Sequence, residues 1–96
     1  MTIGRVVGNI VSTIKHSAYN RTKLLLVQPL NMAGEPDGVT MVAVDTVGAG
    51  SGELVLVCKE GSAARMVLGL PNPPVRSLVI GIIDEVKFAE GISLKG

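Results

Sequence analysis

Tryptophan is absent from this chain, and Tyr19 and Phe88 are its only aromatic residues. Cysteine and histidine occur once each, as Cys58 and His16, and charged residues make up 18% of the 96 positions. Each shortage weighs against a class of function. A surface that holds single-stranded nucleic acid stacks successive bases on aromatic rings, and two rings so far apart in sequence supply no such platform. Nine basic residues against eight acidic ones leave a net charge of +1, with no basic stripe to displace counterions from a phosphate backbone. One cysteine rules out an intrachain disulfide framework or a cysteine-based zinc knuckle, which fits a reducing compartment. No apolar run approaches the ~20 residues that span a bilayer, and Met1-Thr2-Ile3-Gly4-Arg5 does not read as a secretory leader. The expectation is a cytoplasmic protein with no membrane partner. Asn20-Arg21-Thr22 matches a glycosylation acceptor, a pattern that carries meaning only in a secreted chain.

What the chain has instead is apolar, β-branched material. Hydrophobic residues make up 47% and the mean hydropathy is +0.47, whereas a domain this small buries only roughly two-thirds of the surface its unfolded chain exposes. Part of the apolar surface is therefore expected to meet another subunit. Valine occurs 14 times, isoleucine 7 and threonine 5, and such stiff side chains favour a pleated, half-buried surface over a helix. Alternation and turn residues predict strands over Ile3 to Ile14, Leu24 to Leu30, Val39 to Val44, Glu53 to Cys58 and Leu78 to Lys87, with a short one at Ile92 to Leu94. Asp37-Gly38 marks a tight turn. Only Ser62 to Leu68 reads as helical, with Ser62 as a cap, Gly69 as a stop and Pro71 beyond it. The fold expected is all-β: one domain over residues 1–96, a small five-stranded OB-like antiparallel barrel with one short helix and an extra C-terminal strand. Closure removes exposed edges, and apolar residues on the outer strand faces then need a partner.

No constellation of catalytic residues survives inspection. Gly48-Ala49-Gly50-Ser51-Gly52 has the look of a phosphate-binding turn, but such a turn must open a helix, and Glu53-Leu54-Val55-Leu56-Val57 follows as a strand. Ser51 is flanked two positions away by Ala49 and Glu53, not by the glycines of a nucleophile elbow. His16 has no second imidazole with which to hold a metal. Asp84 and Glu85 are adjacent, so in a strand they point to opposite faces and read as a strand-end turn or an interface pair. Cys58 sits among Val55, Leu56 and Val57 and reads as buried filler. Arg65 follows Gly61-Ser62, where its planar guanidinium suits either an interface contact or a solvated helix face. Two other readings stay open: a small OB-type module for nucleic acid or another ligand, and an enzyme subunit whose site forms between protomers.

Asp45-Thr46-Val47-Gly48-Ala49-Gly50-Ser51-Gly52-Glu53 followed by Gly61-Ser62-Ala63-Ala64-Arg65 strongly resembles the EutN/CcmL family of bacterial microcompartment vertex proteins. Gly4-Arg5-Val6-Val7-Gly8, Lys23-Leu24-Leu25-Leu26-Val27-Gln28-Pro29, Asp37-Gly38 and Ile80-Gly81-Ile82-Ile83-Asp84-Glu85-Val86 extend the likeness over essentially the whole chain. One departure is Pro74-Val75-Arg76, where relatives often carry an aspartate after the Pro-Val pair. The resemblance implies an OB-like barrel that assembles into a homopentamer and caps the corners of a polyhedral shell in the bacterial cytoplasm. It implies hexameric and pseudohexameric shell proteins as neighbours, and no enzyme activity, cofactor, metal or nucleic acid. By the same resemblance, Asp45, Gly48, Ala49, Gly50, Ser51, Gly52 and Glu53 lie near the five-fold axis or a subunit contact, and Ser62 and Arg65 near a subunit or tile contact.

Overall fold

The computed structural model describes residues 1–10, 23–59, 77–89, 91 and 93–96. Seven strands occupy them: β1 (Thr2–Ile10), β2 (Lys23–Pro29), β3 (Met41–Asp45), β4 (Leu54–Cys58), β5 (Leu78–Ile83), β6 (Glu85–Lys87) and β7 (Ser93–Lys95). The first five close into a barrel in the order β1-β2-β3-β5-β4, and β6 and β7 form a separate two-stranded sheet. Every pairing in the barrel is antiparallel except that of β3 with β5, which run parallel through Val44↔Leu78 and Asp45↔Val79. A parallel pair needs a long crossover, and β4 lies within it, filling the place between β5 and β1.

Period-two alternation decides what faces inward. Val6, Leu25, Val27, Ala43, Val55, Val57 and Val79 pack together inside the barrel, joined by Ala49 from the loop after β3. Valine and alanine dominate because an interior closed by five strands leaves little room for longer side chains. Register shifts between Val6 and Gly8, and again between Leu56 and Val57, bend the sheet enough to close it. Cys58 is buried, as its apolar neighbours predict.

Strand positions follow the sequence reading closely, with differences of physical interest. β3 begins at Met41, and Val39 stands 87% exposed, because Gln28 Nε2 donates to Gly38 O and holds that segment outside the ladder. The run predicted as one strand from Leu78 to Lys87 breaks at Asp84 into β5 and β6, so Asp84 marks a strand end. β1 is described to Ile10 only; residues 11–14 of its predicted span and the predicted helix at 62–68 lie outside the described residues.

Candidate functional site

The loop between β3 and β4, residues 45–53, carries most of the residues singled out by sequence, and its two carboxylates shape its turns. Asp45 ends β3, and its Oδ1 accepts the N–H groups of Val47 and Gly48, both at 3.0 Å. Thr46 Oγ1 donates to Val79 O at 2.6 Å, which pins the start of the loop to β5. Gly50 N–H donates to Glu53 Oε1 at 2.6 Å, while Glu53 N–H returns to Gly50 O at 3.1 Å. The chain then rejoins the barrel: Gly52 N–H donates to Val6 O at 2.7 Å and Val6 N–H to Glu53 O at 2.9 Å.

Between these fixings the loop folds back over one end of the barrel. Ala49 is fully buried and belongs to the core, where it plugs the barrel mouth. The turn that brings it there requires Gly52 at φ +87°, a left-handed conformation that a side chain resists. Ser51 and Gly52 are exposed at the tip.

Two cations complete the arrangement, and neither was singled out as a site residue by sequence. Lys23 Nζ donates to Ala49 O at 2.9 Å, and Arg5 Nη1 donates to Gly52 O at 2.7 Å. Lys23 is paired with Asp45 across β2 and β3, a register that only the folded sheet reveals. Arg5 lies in the Gly4-Arg5-Val6 stretch of the family resemblance, which is the one signal that points to it.

The arrangement answers the question of phosphate binding. A phosphate nest needs successive free amides aimed at one point, but the N–H groups of Val47, Gly48, Gly50, Gly52 and Glu53 already donate within the chain. Asp45 and Glu53 are likewise engaged as acceptors. Among the described residues no group of three or more His, Cys, Asp or Glu side chains is placed to hold a metal. The structure places Asp45, Gly48, Ala49, Gly50, Ser51, Gly52 and Glu53 in one hydrogen-bonded loop, whereas Ser62 and Arg65 lie outside the described residues. Such a loop is a shaped surface at the mouth of a barrel.

The profile of the family described as ethanolamine utilisation protein EutN/carboxysome matches residues 1–84. The chain belongs to the EutN/CcmL family. Its relatives include the bacterial microcompartment shell vertex protein GrpN of Rhodospirillum rubrum, 46% identical over 87 residues, which span 91% of this chain and 97% of that protein. The carboxysome shell vertex protein CcmL of Synechocystis is 46% identical over 91 residues, 95% of this chain and 90% of its own length. Among solved structures, the pentameric microcompartment shell protein GrpN from Rhodospirillum rubrum superposes with a TM-score of 0.79 at 44% identity, over 93% of this chain and all of that one. The EutN/CcmL match ends at Asp84, the bend that separates the barrel from the β6–β7 hairpin.

Proposed function

We infer that this chain is a structural shell protein that forms homopentamers and caps the vertices of a bacterial microcompartment. Hexagonal units alone tile a plane, and a closed polyhedral shell needs five-fold corners. A head-to-tail interface whose rotation closes after five copies supplies them, and it needs two different surfaces on each subunit. The observation that carries the reading is apolar surface left over after the barrel has closed. Val7, 53% exposed, bulges from β1 beside the cross-strand row Gly8–Leu26–Val42 of β1, β2 and β3. On β5, Ile80 and Ile82 stay 37% and 41% exposed, beyond the last residue at which β3 pairs with it. Two separate apolar surfaces on different strands suit a ring, and the relatives named as shell vertex proteins and the pentameric GrpN support five as its number.

In this reading the protein works by geometry and turns over no substrate. The glycine loop sits at the five-fold axis or against the adjacent subunit, where its small residues permit close approach. Ser62 and Arg65 serve a subunit or tile contact, and hexameric shell proteins of the same compartment surround the pentamer. The cellular place is the shell of that compartment, in the bacterial cytoplasm.

The deciding measurement is native mass over a range of concentrations. The expected species has about 50 kDa, five times the 9.9 kDa chain. Ile82→Asp, which puts a charge into the second apolar surface, is expected to shift that species to monomer while leaving the barrel folded. A monomer at all concentrations for the unaltered chain would overturn the reading.

A further inference from the structure

The β6–β7 hairpin sits outside the barrel, and two-stranded hairpins are marginal on their own in water. Its two apolar side chains at paired positions, Val86 and Leu94, are half-buried, and its remaining strand residues Glu85, Lys87, Ser93 and Lys95 are exposed. Something outside the hairpin must therefore hold it in place, and three contacts made by Leu94, Lys95 and Gly96 do so. A Cβ built on Gly34 of the β2–β3 loop would lie 2.9 Å from Leu94 Cδ1, so Leu94 rests on that loop. Arg5 Nη2 donates to Lys95 O at 3.3 Å. A Cβ on Gly96 would lie 3.4 Å from Leu54 Cβ, so the last described residue covers Leu54, which has no exposed surface although it faces away from the barrel core.

One guanidinium thus joins two elements that have no other link among the described hydrogen bonds. Arg5 Nη1 holds Gly52 O in the glycine loop, and Arg5 Nη2 holds Lys95 O in β7. Because its donors form a planar fork, placing one arm fixes the direction of the other. We propose that the β6–β7 hairpin is a strap whose seating on the barrel holds the glycine loop in its observed shape through Arg5. Arg5 acts here as a positioning residue. Linkage makes the effect reciprocal: an ordered loop favours the seated strap by as much as the strap favours the ordered loop. A partner that lifts or captures the strap at the flank of the subunit would thereby loosen the loop. The consequence for a shell rests on the placement of that loop proposed above, whereas the coupling itself is a property of one chain.

Amide hydrogen exchange on the full-length protein tests the coupling, with native mass recorded on the same samples. Leu94→Asp removes the apolar anchor of the strap without touching the loop or Arg5. The expected result is loss of protection at Gly96, whose N–H donates to Asp84 O, together with a rise of about tenfold in exchange at Gly50, Gly52 and Glu53, equivalent to about 1.4 kcal/mol. Arg5→Gln should loosen the loop by a similar factor, and adding Leu94→Asp to it should produce no further change there, the non-additivity expected of residues acting through one link. A strap that loses protection while loop exchange stays within about twofold of the unaltered protein overturns the proposal. If Leu94→Asp leaves the strap protected, deletion of residues 85–96 makes the same comparison with the same two outcomes. A chain that keeps its pentamer mass while loop and strap respond independently overturns the coupling alone; a chain that is monomeric yet shows the coupled response overturns the vertex reading alone.

Discussion

Two loops of this barrel begin alike and end differently. The β2–β3 loop opens on Asn31, whose Oδ1 accepts the N–H groups of Ala33 and Glu35 at 2.9 and 3.0 Å. The β3–β4 loop opens on Asp45, whose Oδ1 accepts those of Val47 and Gly48. Both also hold glycines at positive φ, Gly34 and Gly38 in one and Gly48 and Gly52 in the other. Yet the first leaves Met32 74% and Val39 87% exposed, while the second buries Ala49 completely. The local chemistry of turning is the same, and what separates them is where the carbonyls go. Lys23 and Arg5 reach Ala49 O and Gly52 O from β2 and β1, and they draw the β3–β4 loop over the barrel mouth. The β2–β3 loop is tied chiefly to its own ends, through Gln28 Nε2 to Gly38 O and Thr40 Oγ1 to Gln28 Oε1, so its apolar side chains stay outside.

The contrast breaks most sharply at the side chains themselves. Ala49→Asp forces a carboxylate into a core that holds no buried polar group among the described residues, and we expect it to destabilise the fold by about 3 kcal/mol or more. Val39→Asp, at the exposed position of the other loop, should stay within about 0.5 kcal/mol of the unaltered protein. Urea unfolding of the two variants side by side measures the difference. Equal midpoints would mean that Ala49 does not plug the barrel.

Backbone strain comes next, and here the loops should behave alike. Gly38 and Gly52 have φ of +89° and +87°, and a Cβ at either would meet nothing within 4 Å. Gly38→Val and Gly52→Val should therefore each cost about 2 kcal/mol, through the left-handed backbone alone. A much larger loss at Gly52 would show that strain there propagates through the Gly52 N–H to Val6 bond into β1. Below this lie the two opening acceptors. Asp45→Ala should cost about 1.5 kcal/mol and Asn31→Ala about half as much, because an ionised acceptor makes the stronger hydrogen bonds. The isosteric Asp45→Asn, which keeps the oxygen, should recover most of the loss in thermal unfolding.

Much of this was legible in the sequence, and the parts that were not share one cause. β2 and β4 stand out because Leu24 to Val27 and Leu54 to Val57 are apolar runs bounded by turn residues, a local property. The unusual loop is visible from glycine at alternate positions, and Asp45 and Glu53 from their place at its ends. The plug is not visible, because alanine between two glycines carries no periodic signal for burial. Nor are the anchors: Lys23 and Asp45 are 22 positions apart in sequence and become neighbours only through the β2–β3 register. Arg5 and Lys95 meet only once the barrel has closed and the hairpin has folded back. Local chemistry predicts that a segment turns, and long-range register decides what the turn is used for.

Lys23→Met is the finest test of that division, because it leaves the glycines, the Asp45 acceptor and the Ala49 side chain untouched. Its removal orphans Ala49 O, and Ala49 is a residue with no exposed surface. A carbonyl left without a partner in such a place loses more than the modest net value of one hydrogen bond, so a destabilisation of about 1 kcal/mol is expected. Thr40→Val supplies the matched control in the other loop. It frees Gln28 Oε1, a half-buried amide oxygen at the end of a rotatable side chain that can turn to water. That change should fall within about 0.5 kcal/mol of zero. If Lys23→Met proves equally silent in urea unfolding while amide exchange at Gly48 and Gly50 is unchanged, the loop is closed by its glycines and carboxylates alone, and the cations merely cover what local chemistry has already set.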